Sequence, residues 1–308
     1  MSRRALDQVT AHLQAIKAVA GVENAVLVQR DGYPVTSSGV WLSEKEIFGV
    51  CSASAAILSV ARRLHQDLGY VLIEGERSKF LLATLPTAVN YFLATTTQSR
   101  INLGAILLQL DRVKANLDAA LSNDELVPPL RAFGDSERDA ICQAFSVRES
   151  QQQDWSPGTV SLSITVSAAS RIGVIIEQFL AAIPSALTGV VCLEGGYLIP
   201  SQCFSDDARA RNSTLTYTLF DTSRKVAQLV KRTRIVQVLC DCRSVQHFIY
   251  GLTGGLFSAV ISKDTARLGL LRLVIPSYIS EIEGVLQEAP IARIPSLDLD
   301  GFLKAIAR

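Results

Sequence analysis

The stretch AVLVQRDGYPV, residues 25–35, decides the fold, because it has the pattern of two short strands joined by a tight turn. The apolar run 25–28 predicts the first strand, and Asp31-Gly32 has the composition of a hairpin turn. The same pattern returns as GVVCLEGGYLI at residues 189–199, with Gly195-Gly196 at the position of the turn. The sequence therefore predicts two similar β-hairpins, shifted by about 164 positions.

Other segments of the two halves match at nearly the same shift. Leu103-Gly104 corresponds to Leu268-Gly269, and the apolar run 91–94 corresponds to 256–259. Apolar periodicity around each hairpin predicts the same order of elements: helix, two strands, helix, three strands, helix. A near-constant shift combined with the same element order indicates an internal duplication.

Each half is therefore expected to be an α/β domain of the α+β type. Strands joined by short turns predict a five-stranded, mainly antiparallel sheet, with helices on both of its faces. The expected first domain is 1–122 and the second, more divergent one is 167–288. A linker at 123–166 contains a candidate short helix at 137–145, and a tail follows at 289–308.

For two helices the sequence predicts where the helix ends or is interrupted. The long helix of the first half is expected to run from Glu44 to about Leu68. In the second half Pro276 falls inside the last helix, where its ring and missing N–H predict a kink or the start of a second segment.

Composition excludes several classes of protein. The chain has 308 residues, 48% hydrophobic and 19% charged, which is typical of a folded protein with substantial cores. Its net charge of +1 provides no general attraction to nucleic acid or to an anionic membrane. No stretch approaches 18 uninterrupted apolar residues, so no membrane span is expected. Six cysteines are too few for a disulfide scaffold, and the charged N-terminus does not resemble a signal peptide, so we predict a cytoplasmic protein.

Motifs that carry catalysis or bind cofactors are absent from the sequence. It contains neither a phosphate-binding loop of the GxxxxGK[ST] type nor a GxGxxG motif, and its three histidines, His12, His65 and His247, are scattered. We therefore predict no catalytic residues, no cofactor, no metal and no enzymatic activity. Cys240 and Cys242 share one face of a predicted strand and are expected to be buried thiols; a metal site there would need further ligands such as Cys192 or Cys203.

The sequence resembles the Roadblock family in its element order and in a few short motifs. These are Gly21-Val22 before the first strand, the 26–32 hairpin VLVQRDG, and Asn102-Leu103-Gly104 at the start of the closing helix. The second half keeps Gly196 and Leu268-Gly269 but has Gly195 in place of Asp31. The resemblance implies tandem Roadblock-like domains, with a Ras-like small GTPase or another Roadblock-type protein as partner. It also implies that such domains pair through the third strand and the long middle helix.

Pairing of this kind suits the strand at 69–75, which is apolar and needs a neighbour at its edge. The strand at 234–240 holds the equivalent place, so the chain is expected to be either an intramolecular pseudo-dimer or a homo-oligomer. The small-residue patch at 51–56 is expected to pack at a domain or subunit interface, and a basic run beginning at Arg224 could dock an acidic partner. The predicted pairing and partner interface comprises Ile47, Cys51, Ser54, Ala55, Leu58, Val71, Ile73, Arg224, Lys225, Val236 and Val238.

The favoured functional hypothesis is a non-enzymatic regulator or scaffold that binds a Ras-like small GTPase and modulates its nucleotide cycle or its localisation. Two alternatives remain at this stage. One is a structural or trafficking adaptor without effect on a GTPase, and the other is a small-molecule sensor.

Overall fold

The computed structural model describes residues 3–39, 44–122, 161–194, 198–199, 206–231, 233–264, 267–288 and 292–294. Its helices are α1 (Arg3–Lys17), α2 (Glu44–Leu64), α3 (Leu103–Ser122), α4 (Val166–Ala182), α5 (Asp206–Lys231) and α6 (Leu268–Glu288). Its strands are β1 (Val22–Gln29), β2 (Pro34–Ser38), β3 (Leu68–Gly75), β4 (Ser78–Thr84), β5 (Tyr91–Gln98), β6 (Ser161–Ser163), β7 (Ala186–Leu193), β8 (Ile235–Cys242), β9 (Val245–Leu252), β10 (Gly255–Ser262) and β11 (Ala292–Ile294). The candidate helix at 137–145, the turn at 195–196 and most of the tail lie outside the described residues.

Nine of these strands form one antiparallel sheet, in the order β2-β1-β5-β4-β3-β8-β9-β10-β7. The sheet is continuous across the two halves because β3 pairs with β8, with Leu72 opposite Leu239. The pairing predicted between the strands at 69–75 and 234–240 is therefore present within one chain. The separate strands β6 and β11 pair with each other.

The second half departs from the first at its hairpin. Leu198 forms an isolated antiparallel bridge with Cys192, and the Ile199 N–H donates to the Val191 carbonyl at 3.0 Å. A full counterpart of β2 is not present among the described residues. The described part of the sheet therefore has nine strands, whereas two five-stranded halves would give ten. Leu198 nevertheless pairs with β7 in the antiparallel direction, as β2 pairs with β1.

Helices cover both faces of the sheet, as predicted, and each face has its own core. One core joins α1, α3, α4 and α6 to the sheet, and the other joins α2 and α5 to it. The alternation of side chains along β3 divides the residues between them. Leu72 belongs to the first core, whereas Val71 and Ile73 belong to the second.

Two helix ends differ from the sequence prediction. Helix α2 ends at Leu64, earlier than expected, because buried Leu68 already begins β3. The His65 N–H still donates to the Ala61 carbonyl at 2.9 Å, after which the chain turns into the strand. Helix α6 continues through Pro276, so the second segment that was one of the two expectations for this position does not occur.

Candidate interaction surface

Helices α2 and α5 pack side by side on one face of the sheet, over the junction between β3 and β8. The inner side of α2 is formed largely by small and branched residues that belong to the same core as residues of α5. The shared core includes Cys51, Ala53, Ile57, Leu58 and Ala61 of α2 together with Leu219, Val226 and Ala227 of α5. Small side chains let helix axes approach closely, so this contact ties the two halves together above the paired strands.

The structure places most of the predicted interface residues inside this contact. Val71 lies opposite Cys240 in the sheet and Ile73 lies opposite Val238, and all four are buried. On α2, three of the predicted residues are buried and two are half-buried; these are Cys51, Ser54, Leu58, Ile47 and Ala55. Such residues join the halves of one chain, and this burial leaves little of them for contact with another protein.

Val236 and the two predicted basic residues are not buried in this contact. Val236 falls at a register irregularity between β3 and β8, and 48% of it is exposed. Arg224 and Lys225 form ion pairs with Asp221, at 2.6 Å and 3.1 Å. Asp221 lies one helical turn before the predicted basic run, and its carboxylate neutralises part of the charge of that run.

Apart from Lys225, the solvent side of the two helices carries different residues from those predicted. We define the helix-pair surface by the exposed residues Ala56, Ser59 and Arg63 of α2 and Thr218, Lys225 and Gln228 of α5. These six side chains are small, polar or basic, and none is acidic. The surface therefore favours a partner that presents small or acidic groups.

The small-residue patch of α2 has one side toward the core and another toward solvent, which gives a first prediction. Ala53 is fully buried, whereas Ala56 is exposed. Replacing Ala53 by Leu should lower the free energy of unfolding by about 1–2 kcal/mol, because extra methylenes strain a packed core. Ala56→Leu should change it by less than about 0.5 kcal/mol. Urea unfolding of both variants checks this, and equal losses would show that the two sides of α2 have been misassigned.

A cluster of charged residues joins the halves on the other face of the sheet. Glu74 at the end of β3 is only 5% exposed, and its carboxylate lies 2.6 Å from the Lys79 Nζ on β4. The same carboxylate accepts hydrogen bonds from Gln237 on β8 and from Arg272 on α6. Burying a carboxylate is costly unless charged and polar partners surround it, so these four residues stabilise the junction only as a set.

Two of the three histidines, which are far apart in sequence, meet beneath the helix pair. The His65 Nε2 and the His247 Nδ1 are 2.8 Å apart, and the His247 Nε2 is 2.7 Å from the Ser258 hydroxyl. Burial, and next the neighbouring His65, lower the pKa of His247 to about 3. Burial also lowers the pKa of His65, an effect opposed by Asp67. His247 and Ser258 are buried, at 3% and 4% exposed, whereas His65 is half-buried.

The described cysteines are buried free thiols. Cys51, Cys192, Cys240 and Cys242 are all buried, and burial raises the pKa of Cys192 and of Cys242 to about 12. Within the described ranges, no three His, Cys, Asp or Glu residues form a group that could hold a metal ion. Cys203, a candidate metal ligand from the sequence, lies outside those ranges.

One described helix, α2, is long and apolar enough over Glu46–Leu64 to cross a membrane by composition. Half of that stretch is buried inside the protein, against the sheet and α5. Its apolar character is therefore explained by its place in the core.

No protein-family model and no curated protein matches the sequence. The structure is similar to the gliding protein mglB from Thermus thermophilus, with 14% identity and a TM-score of 0.36, over 39% of this chain and 93% of that one. MglB of Myxococcus xanthus gives 15% identity and a TM-score of 0.33, over 36% and 93% of the two chains. The Roadblock/LC7 domain from Streptomyces avermitilis gives 15% identity and a TM-score of 0.32, over 35% and 92%. The structures found thus include a Roadblock/LC7 domain, a member of the family that the sequence motifs resemble.

Proposed function

We propose that this protein is a non-enzymatic, cytoplasmic regulator or scaffold that binds a Ras-like small GTPase on the helix-pair surface. The observation that carries the proposal is the packing of α2 beside α5 across the β3–β8 junction. This arrangement offers a broad surface with a continuous sheet beneath it. It also agrees with the mode of domain pairing that the sequence motifs imply.

The two halves are proposed to be duplicated Roadblock-like domains, 1–122 and 167–288, that pair within one chain. The correspondence of α1-β1-α2-β3-β4-β5-α3 with α4-β7-α5-β8-β9-β10-α6 supports the duplication. Because α2 and α5 differ in sequence, the helix-pair surface is asymmetric. A partner would therefore bind in one orientation, whereas a surface formed by two identical helices offers two equivalent orientations.

A double substitution on the helix-pair surface tests this proposal. Ala56→Trp adds bulk at an exposed position of α2, and Lys225→Glu reverses a charge on α5. Together they should weaken binding of a small GTPase by about tenfold or more, through a steric clash and lost charge complementarity. Biolayer interferometry measures the affinity of the wild type and of the variant for small GTPases from the same genome. Each GTPase is loaded with GDP or with a non-hydrolysable GTP analogue.

The matched control is Ala115→Trp with Arg112→Glu, both exposed on α3, on the opposite side of the sheet. It should bind within about twofold of the wild type. GTP hydrolysis by the bound GTPase then separates a regulator from a scaffold. If no GTPase binds in either nucleotide state, or if both double variants bind equally well, the proposal is wrong. Binding only to another Roadblock-type protein would support the adaptor alternative.

A further inference from the structure

A cavity of about 340 Å³ lies on the flank of α2, between this helix and the ends of β1 and β5. Its walls include Arg62 and Arg63 from α2, Arg30 from the loop after β1, and Tyr91 from the start of β5. No residue of α5 lines it. The cavity is thus formed by the first half alone, next to the contact between α2 and α5.

The charged residues that line this cavity are all arginines. Arg30, Arg62 and Arg63 form no ion pair with any residue in the described part of the chain, and no carboxylate lines the walls. Burial, and next the positive charge of Arg30, lower the pKa of Arg62. Arg62 is half-buried, whereas Arg30 and Arg63 are exposed. Like charges near one another repel, and a bound anion would relieve this repulsion.

The lining groups and the volume of the cavity indicate which chemical class of anion it would bind. Guanidinium groups present planar forks of N–H donors that match the oxygens of a phosphate group. The exposed Ser59 contributes a hydroxyl, while Leu58 and Tyr91 contribute apolar wall. The volume lies within the range of small-molecule sites, about 300–1,000 Å³, and exceeds what a single Asp or Glu side chain of a partner could fill.

From these observations we infer that the cavity binds a small organic phosphate, an anionic head group carried on a compact apolar or aromatic body. The phosphate lies among Arg30, Arg62 and Arg63, and the apolar body lies along Leu58 and Tyr91. The site shares Ser59 and Arg63 with the helix-pair surface, but it goes beyond the proposed function because it holds a small anion and contains no residue of α5.

Phenyl phosphate is a suitable probe, since it combines one phosphate with one aromatic ring. Isothermal titration of the full-length protein at low ionic strength, where charge interactions are least screened, should show saturable binding at a single site. Arg62→Gln should weaken this binding by about tenfold or more, because it removes two charge-assisted hydrogen bonds. Inorganic phosphate, which lacks the ring, should bind at least several-fold more weakly than phenyl phosphate.

Arg112→Gln is the control, an equal loss of charge at an exposed position of α3 on the other face of the sheet. It should leave the affinity within about twofold of the wild type. Thermal unfolding of Arg62→Gln without ligand checks that the variant is folded. Arg30→Gln is a second variant, with the same expected loss of affinity for phenyl phosphate. Equal affinities of wild type and both pocket variants would overturn the inference. Equal binding of phenyl phosphate and inorganic phosphate would overturn the assignment of an organic ligand, and binding of neither would overturn the site itself.

Discussion

Glu74→Gln should lower the free energy of unfolding by about 2–4 kcal/mol, the largest effect that we expect from a single conservative change in this chain. The substitution removes the negative charge that Lys79 and Arg272 share, and both cations are then left largely buried, with side chains 14% and 26% exposed. Breaking a buried ion pair by removing one partner typically costs about 3–5 kcal/mol, and partial exposure of the two cations reduces that figure. Urea unfolding followed by circular dichroism measures the change.

An exposed ion pair elsewhere in the chain is the matched control. Arg171 and Glu288 are 2.6 Å apart with side chains 54% and 64% exposed, so Glu288→Gln should cost less than about 1 kcal/mol. Adding Arg272→Gln to Glu74→Gln should restore part of the loss, since one uncompensated cation is then removed. If Glu74→Gln costs no more than Glu288→Gln, the charged cluster does not stabilise the junction.

Acidification should destabilise the protein through the histidine pair, by about 1.6 kcal/mol between pH 6.5 and pH 5 from His247 alone. In the folded protein the pKa of His247 is lowered to about 3 by burial and by His65, whereas in the unfolded chain it is near the ordinary value of about 6.5. As the pH falls below about 6.5, the unfolded chain takes up a proton that folded His247 does not. Stability from this residue is therefore complete above about pH 7 and decreases progressively toward pH 3.

The measurement is the urea midpoint of unfolding at a series of pH values. His247→Gln should be less stable than the wild type at pH 7.5, because buried hydrogen bonds are disturbed, but its stability should change less between pH 7 and pH 5. His12→Gln is the control, because His12 lies on α1, on the opposite face of the sheet, and this variant should keep the wild-type pH dependence. An unchanged slope in His247→Gln would contradict the assignment.

Features encoded by local pattern could be predicted from the sequence. The hairpin turn at Asp31-Gly32, the order of the elements and the antiparallel sheet with helices on both faces all follow from short-range periodicity. Pairing of β3 with β8 within one chain was one of two alternatives, and it was based on the resemblance to Roadblock domains and on the apolar edge of β3. The other inferences need only the neighbours of a residue along the chain or a comparison of the two halves.

Contacts between side chains of different halves could not be predicted in this way. His65 and His247 are 182 residues apart, and Glu74 and Arg272 are 198 apart. Their meeting depends on the register of β3 against β8, and a shift of one residue would turn every side chain of a strand to the other face. The arginine cavity depends similarly on how α2 lies over β1 and β5. The sequence contained one signal of the charged cluster, because a glutamate within the apolar strand LGYVLIEG indicates that it has a buried partner.

The β3–β8 pairing has a consequence for how the chain is made on the ribosome. Leu72 and Leu239, which face each other in the sheet, are about 167 residues apart. At synthesis rates of about 5–20 residues per second, β8 emerges roughly 10–30 s after β3. During this interval the first half is complete but the apolar edge of β3 has no neighbour. A β8 strand from an adjacent nascent chain offers the same antiparallel hydrogen bonds, so crowded polysomes raise the share of domain-swapped dimers that form beside the single-chain pairing.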